Sequence, residues 1–319
     1  MRNEVTQRPR PLVSINIPCY RQLPHLRSSL ATILAQTFPD FEVNLLDDAQ
    51  SEDYRDYAMT LGDSRIHYSP NPERLGAMHN IFHAIFSGEG KYSLAFHEDD
   101  LLEPNYLAAA VKILETHPDC GFVAAEVRAF SEGPASPVRS TSDYPAYEMF
   151  RSGADFVRGI FRGVEPMFGS VVYRREAIAG LEPDHARFGT VVDRPFLLLI
   201  LEKWSAAVIR EPVAWYRPHP EPDDRHRGMS ADHILELMKT YRALLPKKLS
   251  MRDKALFFSY AGDWLGILYH LTPADQKPSF GRFLFQAWRE GVYDPRWERH
   301  FGLGKIRRPP IAGGAGAVE

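Results

Sequence analysis

The chain has 319 residues, enough for one large domain or a domain with an appendage, and its 44% hydrophobic and 25% charged residues exclude a disordered polymer. A net charge of −3 gives no polyanion-binding signal over the chain as a whole. Two cysteines, Cys19 and Cys120, cannot build a disulfide framework, which fits a reducing compartment.

In chain order, residues 1–10 read as a loose polar tail whose sequence, MRNEVTQRPRPLVS with its continuation, lacks the apolar core of a signal peptide. A buried strand is predicted at 12–17, then a helix at 24–36 with Pro24 in its first turn. A second strand follows at 41–48 and a second helix at 52–62, closed by Gly62. Next come a short strand at 65–69, a helix at 76–88, a strand at 91–96 and a helix at 104–117. Strands alternating with helices at this spacing predict βαβ units and a parallel sheet, with ligands at the carboxyl ends of the strands. After a strand at 120–130 the pattern loosens into a Ser/Pro-rich loop at 131–145. It resumes in pieces, with strand and short helix at 168–178, a helix at 193–204 and a strand at 206–217. From about 231 the chain reads as aromatic-rich helices, and the tail after 308 as disordered. FLLLIL at 196–201 is the longest strongly apolar run and is too short to cross a bilayer, so the expected location is the cytoplasm, with room for work at a membrane surface.

No G-x-G-x-x-G follows the first strand and no G-x-x-x-x-G-K-[ST] occurs, so a nucleotide in this sheet must be held by side chains. The strand ends offer them. Asp48, closing NLLDD, can accept a hydrogen bond from a base N–H, or belong to a helix-capping cluster with Ser51, Glu52 and Asp53. Arg74, with a glycine at a helix start, stands where phosphate oxygens are favoured. The sharpest feature is AFHEDD, three adjacent carboxylates at Glu98, Asp99 and Asp100. Hard oxygen ligands in this number suit Mg²⁺ or Mn²⁺ together with substrate phosphates, the alternative being a solvated acidic turn. In extended backbone Glu98 and Asp100 would point to one side as two ligands for one ion.

The first 117 residues resemble family 2 glycosyltransferases, on three motifs in order: VSINIPCYRQLPHLRSSLATILAQTFPDFEVNLLDDAQSED, NPERLGAMHN and HEDDLLEP. The resemblance implies an α/β GT-A fold, a Rossmann-like nucleotide-binding sheet with flanking helices, here followed by a helical C-terminal region. It implies a nucleotide-sugar site lined by Pro18, Cys19 and Tyr20, with Arg21 in place of the usual asparagine, and by Asp48, Arg74, Asn80, Glu98 and Asp99. Asp100 maps onto the direct ligand of Mg²⁺ or Mn²⁺. Asp193, ahead of the helix in FGTVVDRPFLLLILEKW, maps onto the carboxylate base of inverting members. The competing reading of Asp193 is a helix cap before Arg194-Pro195. WYRPHPEPDDRHRG resembles the segment that folds over the diphosphate, making His219 a metal or phosphate contact and Arg217, Arg225 and Arg227 charge-neutralising groups.

The expected organisation is a tail at 1–10, a catalytic domain at 11–230 with a nucleotide-sugar half (11–130) and an acceptor half (131–230), a helical region at 231–308 and a tail at 309–319. The expected activity is a metal-dependent hexosyl-type transfer (EC 2.4) from a nucleotide-diphosphate sugar to a saccharide or lipid-linked acceptor, in bacterial surface polysaccharide or glycoconjugate synthesis, with no nucleic acid partner. A nucleotidyltransferase making sugar nucleotides is the first rival, but IPCYRQLPHL lacks the glycine-rich loop it needs. A non-catalytic module of the same fold is the second. The segment 279–308 carries seven Lys/Arg against three Asp/Glu among its aromatics, which suits either an anionic membrane surface or packing on the catalytic domain.

Overall fold

The structure is a computed structural model and describes residues 10–129, 146–217, 230–271 and 277–294. Strand β1 (Val13–Cys19) lies between parallel β2 (Phe41–Asp47) and parallel β4 (Tyr92–Ala95), and β3 (Ile66–Pro70) extends the parallel run beyond β2. The connections are α1 (Leu23–Leu34), α2 (Glu52–Leu61) and α3 (Ala77–Phe86), as the spacing predicts. Local chemistry sets their ends. Pro24 occupies the first turn of α1, Ser51 caps α2 by accepting from the Asp53 amide, and Gly62 closes α2 at φ +61°.

Beyond β4 the expectation of a parallel sheet fails. The order is β3-β2-β1-β4-β8-β6-β9-β5, where β8 (Val172–Arg174) runs antiparallel to both β4 and β6 (Cys120–Ala129). Strand β9 (Ser205–Tyr216) is parallel to β6. It also takes two short antiparallel partners, β7 (Tyr147–Phe150) on its first half and β5 (Leu101–Leu102) on its second. Two-residue β5 carries too little pattern to be read from sequence. Between these strands lie α4 (Tyr106–Thr116), α5 (Gly153–Phe161), the single turns α6 (Arg175–Ile178) and α7 (His185–Phe188), and α8 (Asp193–Ile200). Three C-terminal helices follow: α9 (Ala231–Leu244), α10 (Met251–Leu271) and α11 (Lys277–Arg289).

The alternation of β1 explains the layering. Val13, Ile15, Ile17 and Cys19 face a core shared with Leu26, Leu30 and Ile33 of α1, Tyr54 of α2 and Leu107, Ile113 and Leu114 of α4. The opposite core joins Phe82 and Ile85 of α3 to Phe156 of α5, Phe196 of α8, and residues of α9, α10 and α11 including Ile234, Phe257, Phe280 and Ala287. The C-terminal helices therefore complete the second core layer. No helix among the described residues is long and apolar enough to cross a membrane.

Candidate functional site

At the carboxyl end of β2 two buried aspartates are consumed by the chain around them. Asp47 accepts from the amides of Ala49 (2.9 Å) and Ser51 (2.6 Å) and from the Tyr68 hydroxyl (2.9 Å), so it shapes the turn into α2. Asp48 accepts at Oδ1 from the Leu75 amide (2.6 Å) and the Asn71 side chain (3.0 Å), and at Oδ2 from the Gly76 amide (2.9 Å). Gly76, at φ +81°, gives the backbone the turn that aims two successive amides at one carboxylate. Asn80 is drawn into the same network, accepting from Asn71 at 2.9 Å and donating to the Leu46 carbonyl at 3.3 Å. The loop so fixed carries Arg74, whose guanidinium lies 4.7 Å from the Tyr20 ring centroid, with that of Arg21 at 5.1 Å. Arg21 has φ +59°, a left-handed conformation that asparagine tolerates better than arginine, which accounts physically for the residue usual at this place in the family it resembles.

At the end of β4 the chain turns through residues 98 and 99, so the alternation expected of extended backbone does not hold for Glu98 and Asp100. Glu98 points back to β1 and α2, accepting from the Tyr20 amide and the Tyr54 hydroxyl, each at 2.7 Å. Burial pushes its carboxyl up to about 7 against those two hydrogen bonds, with Asp99 and Asp47 adding to the rise. Tyr54, 44 residues away in sequence, is a partner that no local pattern announces.

Asp100 is fully buried, and burial raises its carboxyl above the ordinary value, against the pull of His97 and the Arg217 amide. Its Oδ1 accepts from that amide at 3.0 Å, while Oδ2 lies 3.2 Å from His97 Nδ1 and has no other polar partner among the described residues. His97, Asp99 and Asp100 each bring one ligand atom within 4.8 Å of the others. Sequence reasoning passed over His97, although it directly precedes the acidic triple. Gly169 gives the ring its place: a Cβ there would lie 3.1 Å from His97 Nδ1. The end of β9 docks on the same turn. Arg217 Nε donates to the Asp99 carbonyl (3.1 Å) and Trp215 Nε1 donates to buried Glu103 (2.9 Å), a contact between residues 112 apart. His219, Arg225 and Arg227 lie outside the described residues.

Asp193 is the first residue of α8, and Val192 holds the N-cap position, so the cap reading is not realised in its simple form; the carboxylate instead faces the positive end of the helix. Phe196, one turn on, packs edge-on against Phe82 of α3 at 5.1 Å and against Tyr173 of β8 at 6.1 Å. Burial, then Asp193, raises the pKa of Tyr173, whose hydroxyl is buried without a hydrogen-bond partner among the described residues. Next to it, Arg194 reaches the C-terminal helices, donating to the Tyr260 hydroxyl at 3.2 Å and lying 5.9 Å from the Trp264 ring. Burial works against its charge, but Tyr260, Tyr241 and Asp193 outweigh that and hold the guanidinium protonated. Asp184, a second carboxylate in this half, is spent capping α7 through the Arg187 amide. Cys19 is buried, and burial raises its thiol well above the ordinary value, as suits a packing residue and not a nucleophile.

A sequence profile described as "Glycosyl transferase family 2" matches residues 14–179, just over half the chain. The chain belongs to that family. Among curated relatives, this family 2 chain is 29% identical over 104 residues to an uncharacterised glycosyltransferase of Rickettsia typhi, covering 33% of this chain and 32% of that one. An uncharacterised glycosyltransferase of Rickettsia bellii is 33% identical over 106 residues, 33% of this chain and 15% of the relative. The chain thus spans a third or less of these relatives' length. Its fold is similar to that of S. aureus TarS 1–349 in complex with UDP-GlcNAc, with TM-score 0.54 and 14% identity over 91% of each chain. It is also similar to the mannosyltransferase PcManGT of Pyrobaculum calidifontis in complex with GDP-Man and Mn²⁺, with TM-score 0.52 and 19% identity over 92% of this chain and 79% of that one. At such identities the likeness speaks for the fold, and the fold is GT-A. The family 2 match ends at residue 179, short of Asp193 and the C-terminal helices.

Proposed function

We propose that this family 2 protein is an inverting glycosyltransferase that moves a sugar from a nucleotide-diphosphate sugar to an acceptor hydroxyl, dependent on Mg²⁺ or Mn²⁺. One observation carries the reading: a fully buried aspartate, Asp100, keeps an oxygen whose one polar partner among the described residues is the His97 ring, with Asp99 alongside, at the carboxyl end of a parallel strand. A buried carboxylate oxygen left in that state is costly unless a cation or proton meets it. Two carboxylates and an imidazole are a donor set that fits a hard or borderline divalent ion. When bound, such an ion supplies charge neutralisation for the diphosphate as it departs. That TarS was solved with UDP-GlcNAc and the archaeal mannosyltransferase with GDP-Man and Mn²⁺ supports a nucleotide-sugar donor and a divalent ion here.

The chain's own residues divide the remaining work. Tyr20, flanked by the guanidinium groups of Arg21 and Arg74, offers the donor an aromatic face bordered by positive charge. Pro18, Asn80 and Asp48 complete the donor site from the ends of β1 and β2 and the start of α3, and Glu98 ties the Tyr20 backbone to Tyr54 of α2. Arg217 braces the acidic turn. Asp193 takes the proton of the acceptor hydroxyl as that oxygen attacks C1; the bond from C1 to the phosphate oxygen breaks, and configuration inverts in one displacement. The acceptor is a saccharide or lipid-linked hydroxyl of bacterial surface glycoconjugate synthesis, and His219 is a further contact for metal or phosphate.

The test is Asp193→Asn, with sugar transfer and melting temperature measured together. Turnover should fall about 10²- to 10⁴-fold, the usual contribution of a positioned base. Stability should move by less than about 1 kcal/mol, since only the charge at a helix start is lost. Near-normal transfer would remove Asp193 from the mechanism and with it the inverting displacement as drawn.

A further inference from the structure

We propose that the outer face of α11 is a docking surface for an anionic lipid bilayer. The helix divides cleanly. Phe280, Phe283, Leu284 and Ala287, spaced i, i+3, i+4, i+7, pack into the second core layer, with Phe280 and Ala287 buried. That face satisfies the helix. Phe285 and Trp288 therefore add nothing to the core, yet they stand 58% and 49% exposed with ring centroids 5.8 Å apart. Most large apolar side chains of this protein are covered; two adjacent bare aromatics on one helix are a patch that calls for a partner.

Charge decides which partner. Exposed Arg282 and Arg289 flank the aromatic pair along the same stripe, at i, i+3 and i+7 through Phe285. The nearest acid, Glu290, is already engaged: Lys239 Nζ of α9 lies 3.3 Å from its Oε2, and Gln286 donates to Oε1 at 3.1 Å. No carboxylate within α11 itself opposes the two guanidinium groups. A shallow groove runs over this face, lined by Phe285, Gln286, Arg289 and Glu290. Aromatic side chains between arginines match the depth profile of a bilayer surface, rings at the acyl boundary and cations at anionic headgroups. A protein partner would be expected to meet a neutral or mixed rim, not one from which negative charge has been drawn away. This inference stands apart from the proposed reaction and does not depend on it.

The experiment is cosedimentation of the full chain with vesicles of phosphatidylcholine alone and of phosphatidylcholine with phosphatidylglycerol, at low and high salt. The chain should sediment with the anionic vesicles, bind neutral ones at least tenfold more weakly and be released by salt. Phe285→Ser/Trp288→Ser should weaken anionic binding at least tenfold, and Arg282→Ser/Arg289→Ser about 10- to 30-fold. Both arginines are exposed and neither belongs to the core clusters, so their variant keeps the experiment decisive if the aromatic variant fails to fold. Equal binding to neutral and anionic vesicles, no sedimentation at all, or full binding by either double variant overturns the proposal. So does a wild-type dimer in solution that the aromatic variant dissociates, because a second copy would then be the occupant.

Discussion

Two acidic strand ends sit in the parallel part of the sheet, at β2 and at β4, and they have opposite accounts of their hydrogen bonds. At β2, Asp47 and Asp48 together receive six donations, four of them from backbone amides, and every carboxylate oxygen is occupied. At β4, Glu98 is likewise occupied by Tyr20 and Tyr54, but one oxygen of Asp100 meets, among the described residues, just the His97 ring and Asp99. Residue type and topological position are shared. What differs is whether the protein has already spent the charge on its own backbone, and that separates a carboxylate that fixes a loop from one that, in the function proposed above, receives a cation.

The largest effect expected from this contrast is at Asp100→Asn. The new amide oxygen can keep the Arg217 amide bond, while the charge that faces His97 and Asp99 disappears. Wild-type protein should gain about 2.7 kcal/mol of stability from a nucleoside diphosphate with Mn²⁺ at a hundredfold its dissociation constant. The variant should lose the Mn²⁺-dependent part of that gain in a thermal-shift titration; an unchanged metal dependence would erase the contrast. Next is Asp48→Ala, which strands the Leu75 and Gly76 amides and the Asn71 side chain. It should cost about 2–5 kcal/mol, since buried Asn71 loses one partner at about 1–3 kcal/mol and the half-buried Leu75 and Gly76 amides, within reach of water, lose less than that each. A normal melting temperature with weakened nucleotide binding would return Asp48 to direct base contact. The smallest effect is at Trp215→Phe, which removes only the donor to Glu103. About 1 kcal/mol of stability should go, and Mn²⁺ affinity should weaken by no more than about tenfold, as for an outer contact that orients a site. If both are unmoved, the docking of β9 on the acidic turn is idle.

The first four strands and the helices joining them were legible because their signals are local: apolar runs, Pro24, Ser51 and Gly62 each act within a turn of their own position. The rest was hidden for a definite reason. β8 runs against β4 although 76 residues separate their ends, and a chain pattern cannot say which distant strand fills the next place. The same holds inside the site. Glu98, Asp99 and Asp100 announced chemistry, but their division of labour depends on Tyr54 and Arg217, brought from far along the chain. The backbone turns at residues 98 and 99, so the alternation of an extended strand does not set the directions of Glu98 and Asp100. His97 was readable in principle, as a fourth ligand-type residue beside the triple, but a histidine at a strand end has no local mark that separates ligand from packing.

Arg194 carries a consequence for modularity. It sits next to Asp193 and is held by the Tyr260 hydroxyl, the Trp264 face and the field of Tyr241, all on α9 and α10. The family match stops before any of these residues, so the C-terminal helices look like a variable addition. Their grip on α8 makes them something else. A chain ending near 230 would strand a guanidinium beside the candidate base and bare the second core layer, and a transplanted set of helices would have to bring phenols and an indole to the same three places. The helices are thus bound into α8 through Arg194 and are part of one packed body with it.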